Sequence, residues 1–130
     1  MGLSNIRILV VDDVQTVRVQ VKEILKLAGY EQLKSAMNGL EALQELNSTD
    51  YHLVVLDWYM DPMNGMDLLK EIRSKDKLKN ISVIMLTAET TKEKVLQAVQ
   101  SGIDDYIVKP FTPEHAQLKI TNALLKRKHL

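Results

Sequence analysis

No cysteine occurs anywhere in the chain, which removes disulfides, thiolate metal sites and cysteine nucleophiles together. An excess of charge is missing too: 17 Lys and Arg balance 17 Asp and Glu. No global field then favours nucleic acid or an anionic membrane, and any charge-driven function must be local. The longest apolar runs span only a few residues, too short for a transmembrane helix or a secretory signal. The start Met1-Gly2-Leu3-Ser4 has Ile6 where a myristoylation motif wants Ser or Thr. These exclusions leave a soluble cytoplasmic domain as the expectation, and 130 residues suffice for one core but not two.

What is present alternates between short β-branched runs and longer stretches of helical period. Strands are expected at Arg7–Val11, Gln32–Ala36, Leu53–Asp57, Ser82–Thr87 and Asp105–Val108. Val14, Val17, Val21, Ile24, Leu25 and Ala28 follow one helix face. Asn38-Gly39-Leu40-Glu41 and Thr90-Thr91-Lys92-Glu93 resemble capping boxes, and Thr112-Pro113 is a cap and first-turn pair. Gly29 and Gly102 stand where helices should stop. The order is five βα units, an α/β fold with a doubly wound parallel five-stranded sheet covered on both faces. Those units use the whole length, so a single domain over 1–130 without an output domain is expected.

In open sheets of this kind, ligands bind beyond the carboxyl ends of the strands. Asp12 and Asp13 close the run Ile8–Val11, Asp57 closes Leu53–Leu56, and two further runs end in Thr87-Ala88 and Lys109-Pro110. Neighbouring parallel strands would bring three acids, a hydroxyl and an ammonium to one sheet edge. An acid after a strand is commonly a turn residue or an N-cap, but the set together has a chemistry. Mg²⁺ takes carboxylate, water and phosphate oxygens, and its charge relieves the repulsion among clustered acids. A carboxylate there can attack phosphorus and form an acyl phosphate. Lys109, Thr87 and the metal could stabilise the developing charge. Asp57, the lone acid on what should be a central strand, is the expected nucleophile, with Asp12 and Asp13 as metal holders.

These residues, in this order, resemble the receiver domain of bacterial two-component response regulators. The likeness rests on Val10-Val11-Asp12-Asp13, Leu56-Asp57, Met63-Asn64-Gly65, Leu86-Thr87-Ala88 and Tyr106-Ile107-Val108-Lys109-Pro110-Phe111, and covers essentially the full chain. Asp57-Trp58, Thr87-Ala88-Glu89 and Lys109-Pro110-Phe111-Thr112 are most similar to the stand-alone, CheY-like chemotaxis receivers.

The resemblance implies the flavodoxin-like strand order 2-1-3-4-5 and Asp57 as phosphoacceptor. It implies Mg²⁺ held by Asp13, Asp57 and the Tyr59 backbone carbonyl, with Asp12 acting mainly through water. Lys109 and Thr87 would contact the phosphoryl group, and Thr87 moving inward would let Tyr106 swing from an exposed to a buried rotamer. The Lys109-Pro110 peptide should be cis, a form accessible mainly before proline. The output face would join the fourth helix, fifth strand and fifth helix, with Lys92, Val95, Tyr106 and Lys119 on it. Tyr59 and Glu89 occupy positions that in the family tune phosphoryl hydrolysis.

Implied partners are a sensor histidine kinase (CheA-like), a flagellar motor switch protein or other protein target, and a phosphatase. Neither nucleic acid nor membrane is implied, and the chain is expected to be a monomer. One departure stands out. The family loop usually runs Asp-x-x-Met-Pro-x-Met-Asp/Asn-Gly, whereas here Asp61 takes the proline's place and Pro62 follows one position late. Proline restricts the residue before it, so Asp61 rather than Met60 is pushed extended, which bears on the Tyr59 carbonyl.

The expected function is a phosphorylation-activated binding module that is not a turnover enzyme, with a phosphorelay intermediate or phosphate sink as the alternative within signalling. A Mg²⁺-dependent phosphohydrolase of the haloacid dehalogenase type also uses an aspartyl phosphate. It places a second Asp two positions after its nucleophile, where this chain has Tyr59. A flavin carrier would need a Ser/Thr/Gly-rich loop in place of Asp12-Asp13. His52, His115 and His129 are scattered, without metal-ligand spacing, and Lys126-Arg127-Lys128 suits the end of a last helix.

Overall fold

The computed structural model describes residues 2–130. After a short 3₁₀ turn, β1 (Arg7–Val11), β2 (Gln32–Ala36), β3 (Leu53–Leu56), β4 (Ser82–Thr87) and β5 (Asp105–Val108) alternate with five helices. These are α1 (Gln15–Leu27), α2 (Gly39–Ser48), α3 (Gly65–Ser74), α4 (Lys92–Gln100) and α5 (Pro113–Lys126). All strands pair in parallel in the order β2-β1-β3-β4-β5. Four strands have the expected bounds, while β3 stops at Leu56 and leaves Asp57 just beyond it. Among the described residues no helix is long and apolar enough to cross a membrane.

Period-two alternation of apolar side chains divides the interior into two layers. Leu9, Val11, Val54, Leu56, Val83 and Met85 pack with α2 and α3 through Ala42, Leu46, Leu68, Leu69 and Ile72. Ile8, Val10, Leu53, Val55, Ile84 and Leu86 pack with α1 and α5 through Val21, Ile24, Leu25, Ile120 and Leu124. The central strands β3 and β4 are buried at every residue. Each fully buried aliphatic chain stabilises the fold by about 1.5–3 kcal/mol before entropy is counted.

Local signals explain most helix ends. Gly29 and Gly102 take φ of 103° and 104°, left-handed values that disfavour any side chain. Asn38 Oδ1 accepts the Glu41 N–H at 2.9 Å, and Thr112 Oγ1 accepts the His115 N–H at 3.2 Å ahead of Pro113. Two expectations fail. Val14 flanks the start of α1 and is exposed rather than lying on its buried face. The capping box from Thr90 to Glu93 does not form: α4 begins at Lys92, with no side-chain bond from its cap Thr91. Instead the Glu89 carboxylate accepts the Thr91 N–H at 2.8 Å, so an acid from the preceding loop satisfies that amide.

At the edge opposite the strand C-termini, two histidines far apart in sequence meet. The His52 and His129 rings stack edge to face with centroids 5.3 Å apart. His52 Nδ1 accepts the Arg7 N–H at 3.0 Å, which requires that nitrogen to be unprotonated. His129 Nε2 lies 3.0 Å from the Asn80 carbonyl, which can only accept. Burial, and then the His129 and Arg7 charges, lower the His52 pKa from its ordinary 6.5, with Asp50 opposing.

Stability from neutral His52 is therefore complete above pH 6.5 and is lost as pH falls below it, through the lower folded-state value. The hydrogen bond at risk is worth about 1 kcal/mol. Urea unfolding at pH 7.5 and 5.5 should show a smaller acid loss in His52→Gln than in wild type. Equal losses in both proteins would show that His52 carries none of the acid sensitivity.

Candidate phosphoacceptor and metal site

The site is assembled by the sheet itself. Backbone ladders run one residue past the strands: Asp12 N–H donates to Ala36 O at 3.2 Å, and Asp57 N–H to Val11 O at 3.1 Å. Lys109 N–H donates to Thr87 O at 2.9 Å. Because Val11 registers with Leu56, the acids that follow them stand side by side. The carboxylates of Asp12, Asp13 and Asp57 each offer an oxygen within 4.8 Å of the others. Asp12 is buried, Asp57 half-buried and Asp13 exposed.

Lys109 reaches into this cluster. Its Nζ lies 3.0 Å from Asp12 Oδ2 and 3.2 Å from Asp57 Oδ2. Burial alone would lower the Lys109 pKa, but the Asp12 and Asp57 carboxylates outweigh it and hold the ammonium above its ordinary value. For Asp12, burial raises the pKa against the Val14 amide and Lys109, which both favour the anion. Val14 N–H donates to Asp12 Oδ1 at 2.9 Å and Arg18 donates to the Asp12 carbonyl at 2.6 Å. Asp12 is thus fixed at its amide, its carbonyl and both carboxylate oxygens. Among the described residues, Asp57 Oδ1 accepts only the adjacent Trp58 N–H at 2.6 Å, and its other oxygen faces Lys109.

An all-oxygen donor set of three carboxylates suits a hard divalent cation such as Mg²⁺. Asp13, exposed beside two acids that share one ammonium, is the carboxylate with most room for it. Tyr59, Met60, Asp61 and Asn64 line one cleft with Asp13. The Tyr59 residue expected to contribute a carbonyl therefore borders the acids. The shifted proline loop is accommodated with a cis Asp61-Pro62 peptide, and Lys109-Pro110 is cis as expected.

Thr87 ends β4, buried, with Oγ1 accepting the Glu89 N–H at 3.4 Å. Tyr106 is half-buried against the α2–α3 core layer, and its hydroxyl donates to the Glu89 carbonyl at 2.7 Å. Tyr106 is thus intermediate in exposure and tied through its hydroxyl to the loop after β4. Burial, and then nearby Glu89, Tyr59 and Asp57, push its pKa up to about 12. Lys92 and Val95 lie on α4 and Lys119 on α5, where its ammonium pairs with Asp105 at 3.0 Å. Lys119 is thereby tied to the start of β5, at the sheet edge opposite the acid cluster.

Sequence reasoning missed Arg18, whose contact is to a backbone carbonyl and leaves no trace in residue types. It also named Tyr59 and Glu89 without their link. The two side chains hydrogen-bond directly, and Lys94 bridges them.

Comparison with known proteins agrees with this geometry. Residues 8–121 match the model of the response regulator receiver domain. The chain is 46% identical over 109 residues to chemotaxis protein CheY-3 of Vibrio cholerae, covering 84% of each. It is 42% identical over 115 residues to chemotaxis protein CheY1 of Helicobacter pylori, covering 88% of this chain and 93% of that one. The solved structure of response regulator TrrA from Thermotoga maritima, a complex with Mg(2+)-BeF, superposes with a TM-score of 0.81 at 36% identity. That match covers 91% of this chain and 98% of the other. Vibrio cholerae CheY4 gives a TM-score of 0.84 at 30% identity, with the same coverage. With its fold, acid cluster and sequence all in agreement, the chain belongs to the response regulator receiver domain family, as a CheY-like member of two-component signalling.

Proposed function

We propose that this chain is a phosphorylation-activated binding module whose phosphoacceptor is Asp57. The observation that carries the reading is the Lys109 ammonium, held 3.0 and 3.2 Å from Asp12 and Asp57 beside an exposed third carboxylate. The donor is a phosphohistidine of a sensor kinase or a small acyl phosphate. An Asp57 carboxylate oxygen attacks phosphorus, the bond from phosphorus to the donor nitrogen or oxygen breaks, and the donor leaves with that electron pair.

Lys109 neutralises charge on the incoming phosphoryl oxygens, and the Thr87 hydroxyl donates to one of them. Asp12, immobilised by four contacts, keeps Lys109 and Asp57 in place. Asp13, Asp57 and the Tyr59 carbonyl would hold Mg²⁺, with Asp12 acting through water, and the bound ion supplies further neutralisation of phosphoryl charge. The protein catalyses only its own phosphoryl transfer and hydrolysis.

Output follows from the same elements. Thr87, drawn toward the phosphoryl group, favours the inward Tyr106, and the population of conformers shifts at α4, β5 and α5. Leu96, Val99 and Val108 are exposed on α4 and β5, supporting a protein target there. The CheY-like relatives favour chemotaxis and a flagellar motor switch protein as that target. Binding of a motor-switch peptide only after phosphorylation separates this role from a phosphorelay intermediate or phosphate sink.

Intact mass after incubation with acetyl phosphate tests the chemistry. A gain of one phosphoryl group that requires Mg²⁺ and disappears in Asp57→Asn is the expected result. A gain that persists in Asp57→Asn would remove Asp57 from the role.

A further inference from the structure

Lys94, on the first turn of α4, sits among aromatic and acidic groups from two loops of the site. Its Nζ is 2.8 Å from Tyr59 Oη and 3.8 Å from Glu89 Oε1. It also lies over two ring faces, 5.1 Å from the Tyr59 centroid and 5.7 Å from that of Trp58. The Tyr59 hydroxyl donates to Glu89 and must therefore accept from Lys94.

Glu89 has further ties. Its second carboxylate oxygen accepts the Thr91 N–H at 2.8 Å, and its backbone carbonyl accepts the Tyr106 hydroxyl at 2.7 Å. The loop after β3, the loop after β4, the start of α4 and β5 are thus joined around one phenol. The Glu89 carboxylate thus accepts from Thr91 and Tyr59 and faces Lys94, and forms the acidic end of the clasp.

Tyr59 is 49% exposed, yet it borders the cleft that contains Asp13. A half-exposed aromatic side chain without such partners would exchange rotamers freely on the nanosecond scale. Here charged hydrogen bonds and a cation over the ring oppose that motion. Both anchoring groups, Glu89 and Lys94, belong to the β4–α4 loop and α4 rather than to the loop that carries Tyr59.

Resting on the proposed phosphorylation of Asp57, we infer that Lys94 is a positioning residue holding Tyr59 across the mouth of the site, so that the placement of α4 sets how readily water reaches the phosphoryl group. The reaction so controlled is hydrolysis. Water oxygen bonds to phosphorus, the bond from Asp57 oxygen to phosphorus breaks, and the carboxylate returns as dihydrogen phosphate leaves with both water protons. A protein docking on α4 that engages Lys94 would release Tyr59 and shorten the phosphoryl lifetime.

The experiment uses full-length Lys94→Met and Lys94→Arg beside wild type. Trp58 is the sole tryptophan, so acrylamide quenching of its fluorescence reports clasp opening in the unmodified protein. Loss of the phosphoryl mass after removal of acetyl phosphate reports hydrolysis. Lys94→Met should quench more readily and lose phosphate about threefold faster, the scale of an exposed charged contact. Lys94→Arg should restore both, and urea midpoints should agree among all three. Unchanged quenching in Lys94→Met overturns the clasp, and changed quenching with unchanged decay overturns its control of hydrolysis. If wild type gains no phosphoryl group at all, the proposed function fails, while quenching still decides whether Lys94 holds Tyr59.

Discussion

Asp104→Ala should destabilise the fold by about 3–5 kcal/mol, the usual cost of removing one partner from a buried ion pair. The Asp104 side chain is fully buried just before β5. One oxygen accepts from Arg127 Nε at 2.8 Å, and the other from Arg73 Nη2 at 3.0 Å and from the Val83 N–H at 2.8 Å. Lys126 adds a weaker contact at 3.8 Å. Arg73 also spans the lower edge of the sheet, donating to the carbonyls of Gly102, Lys79 and Ile81.

Without the carboxylate, two guanidiniums would face each other with no anion between them. Burial and the nearby Arg127 already lower the Arg73 pKa, with Asp104 as the counterweight. Asp104→Asn should recover part of the loss, because its amide oxygen can still accept from an arginine or from Val83. Urea denaturation of the three proteins measures this, and a loss below about 1 kcal/mol for Asp104→Ala would mean that the arginines are satisfied elsewhere. The hub sits at the sheet edge opposite Asp57. Protein that remains folded should accept phosphate from acetyl phosphate at the wild-type rate.

That hub marks where sequence reasoning reached its limit. Strands were legible because both faces of β3 and β4 are buried, so Leu53–Leu56 and Ser82–Thr87 carry almost uninterrupted apolar runs. The acid cluster was legible for a related reason: in a parallel sheet every strand C-terminus lies at one edge, so Asp12, Asp57, Thr87 and Lys109 betray their convergence by position alone. Asp104, Arg73 and Arg127 follow no such rule. They come from a loop, a helix end and the chain's last turn, and only packing brings them together. The same holds for His52 and His129, joined when the end of the chain folds back beside β3. Lys94 was hidden differently. Its spacing on α4 reads as a solvated face, and the phenol it contacts lies 35 residues earlier.

Gly65→Ala should cost roughly 3 kcal/mol, the upper part of the range for overpacking, and should also slow phosphorylation of whatever stays folded. A Cβ built at Gly65 would lie 2.1 Å from the Asp57 carbonyl oxygen, 2.7 Å from Leu56 Cδ1 and 2.9 Å from the Asp57 carbonyl carbon. Two of those three atoms are backbone of the proposed phosphoacceptor, so no side-chain rotation relieves the clash. Relief requires α3 to retreat or Asp57 to move. The Gly65 N–H donates to the Trp58 carbonyl at 2.8 Å, which resists retreat. Displacing a reacting group by about 1 Å can cost on the order of 100-fold in rate.

Gly29→Ala separates the two effects. Its φ of 103° makes alanine strained there, at a cost of roughly 1–2 kcal/mol, but the residue ends α1 at the other edge of the sheet. Acetyl phosphate kinetics followed by mass, at a temperature where both variants are folded, should show a wild-type rate for Gly29→Ala and a large deficit for Gly65→Ala. Equal rates would mean that α3 yields and Asp57 does not, so that the close approach of this glycine serves packing alone. A deficit confined to Gly65→Ala would give the glycine of Met63-Asn64-Gly65 a chemical reason to be there: it lets a helix start in contact with the carbonyl of the residue that takes the phosphoryl group.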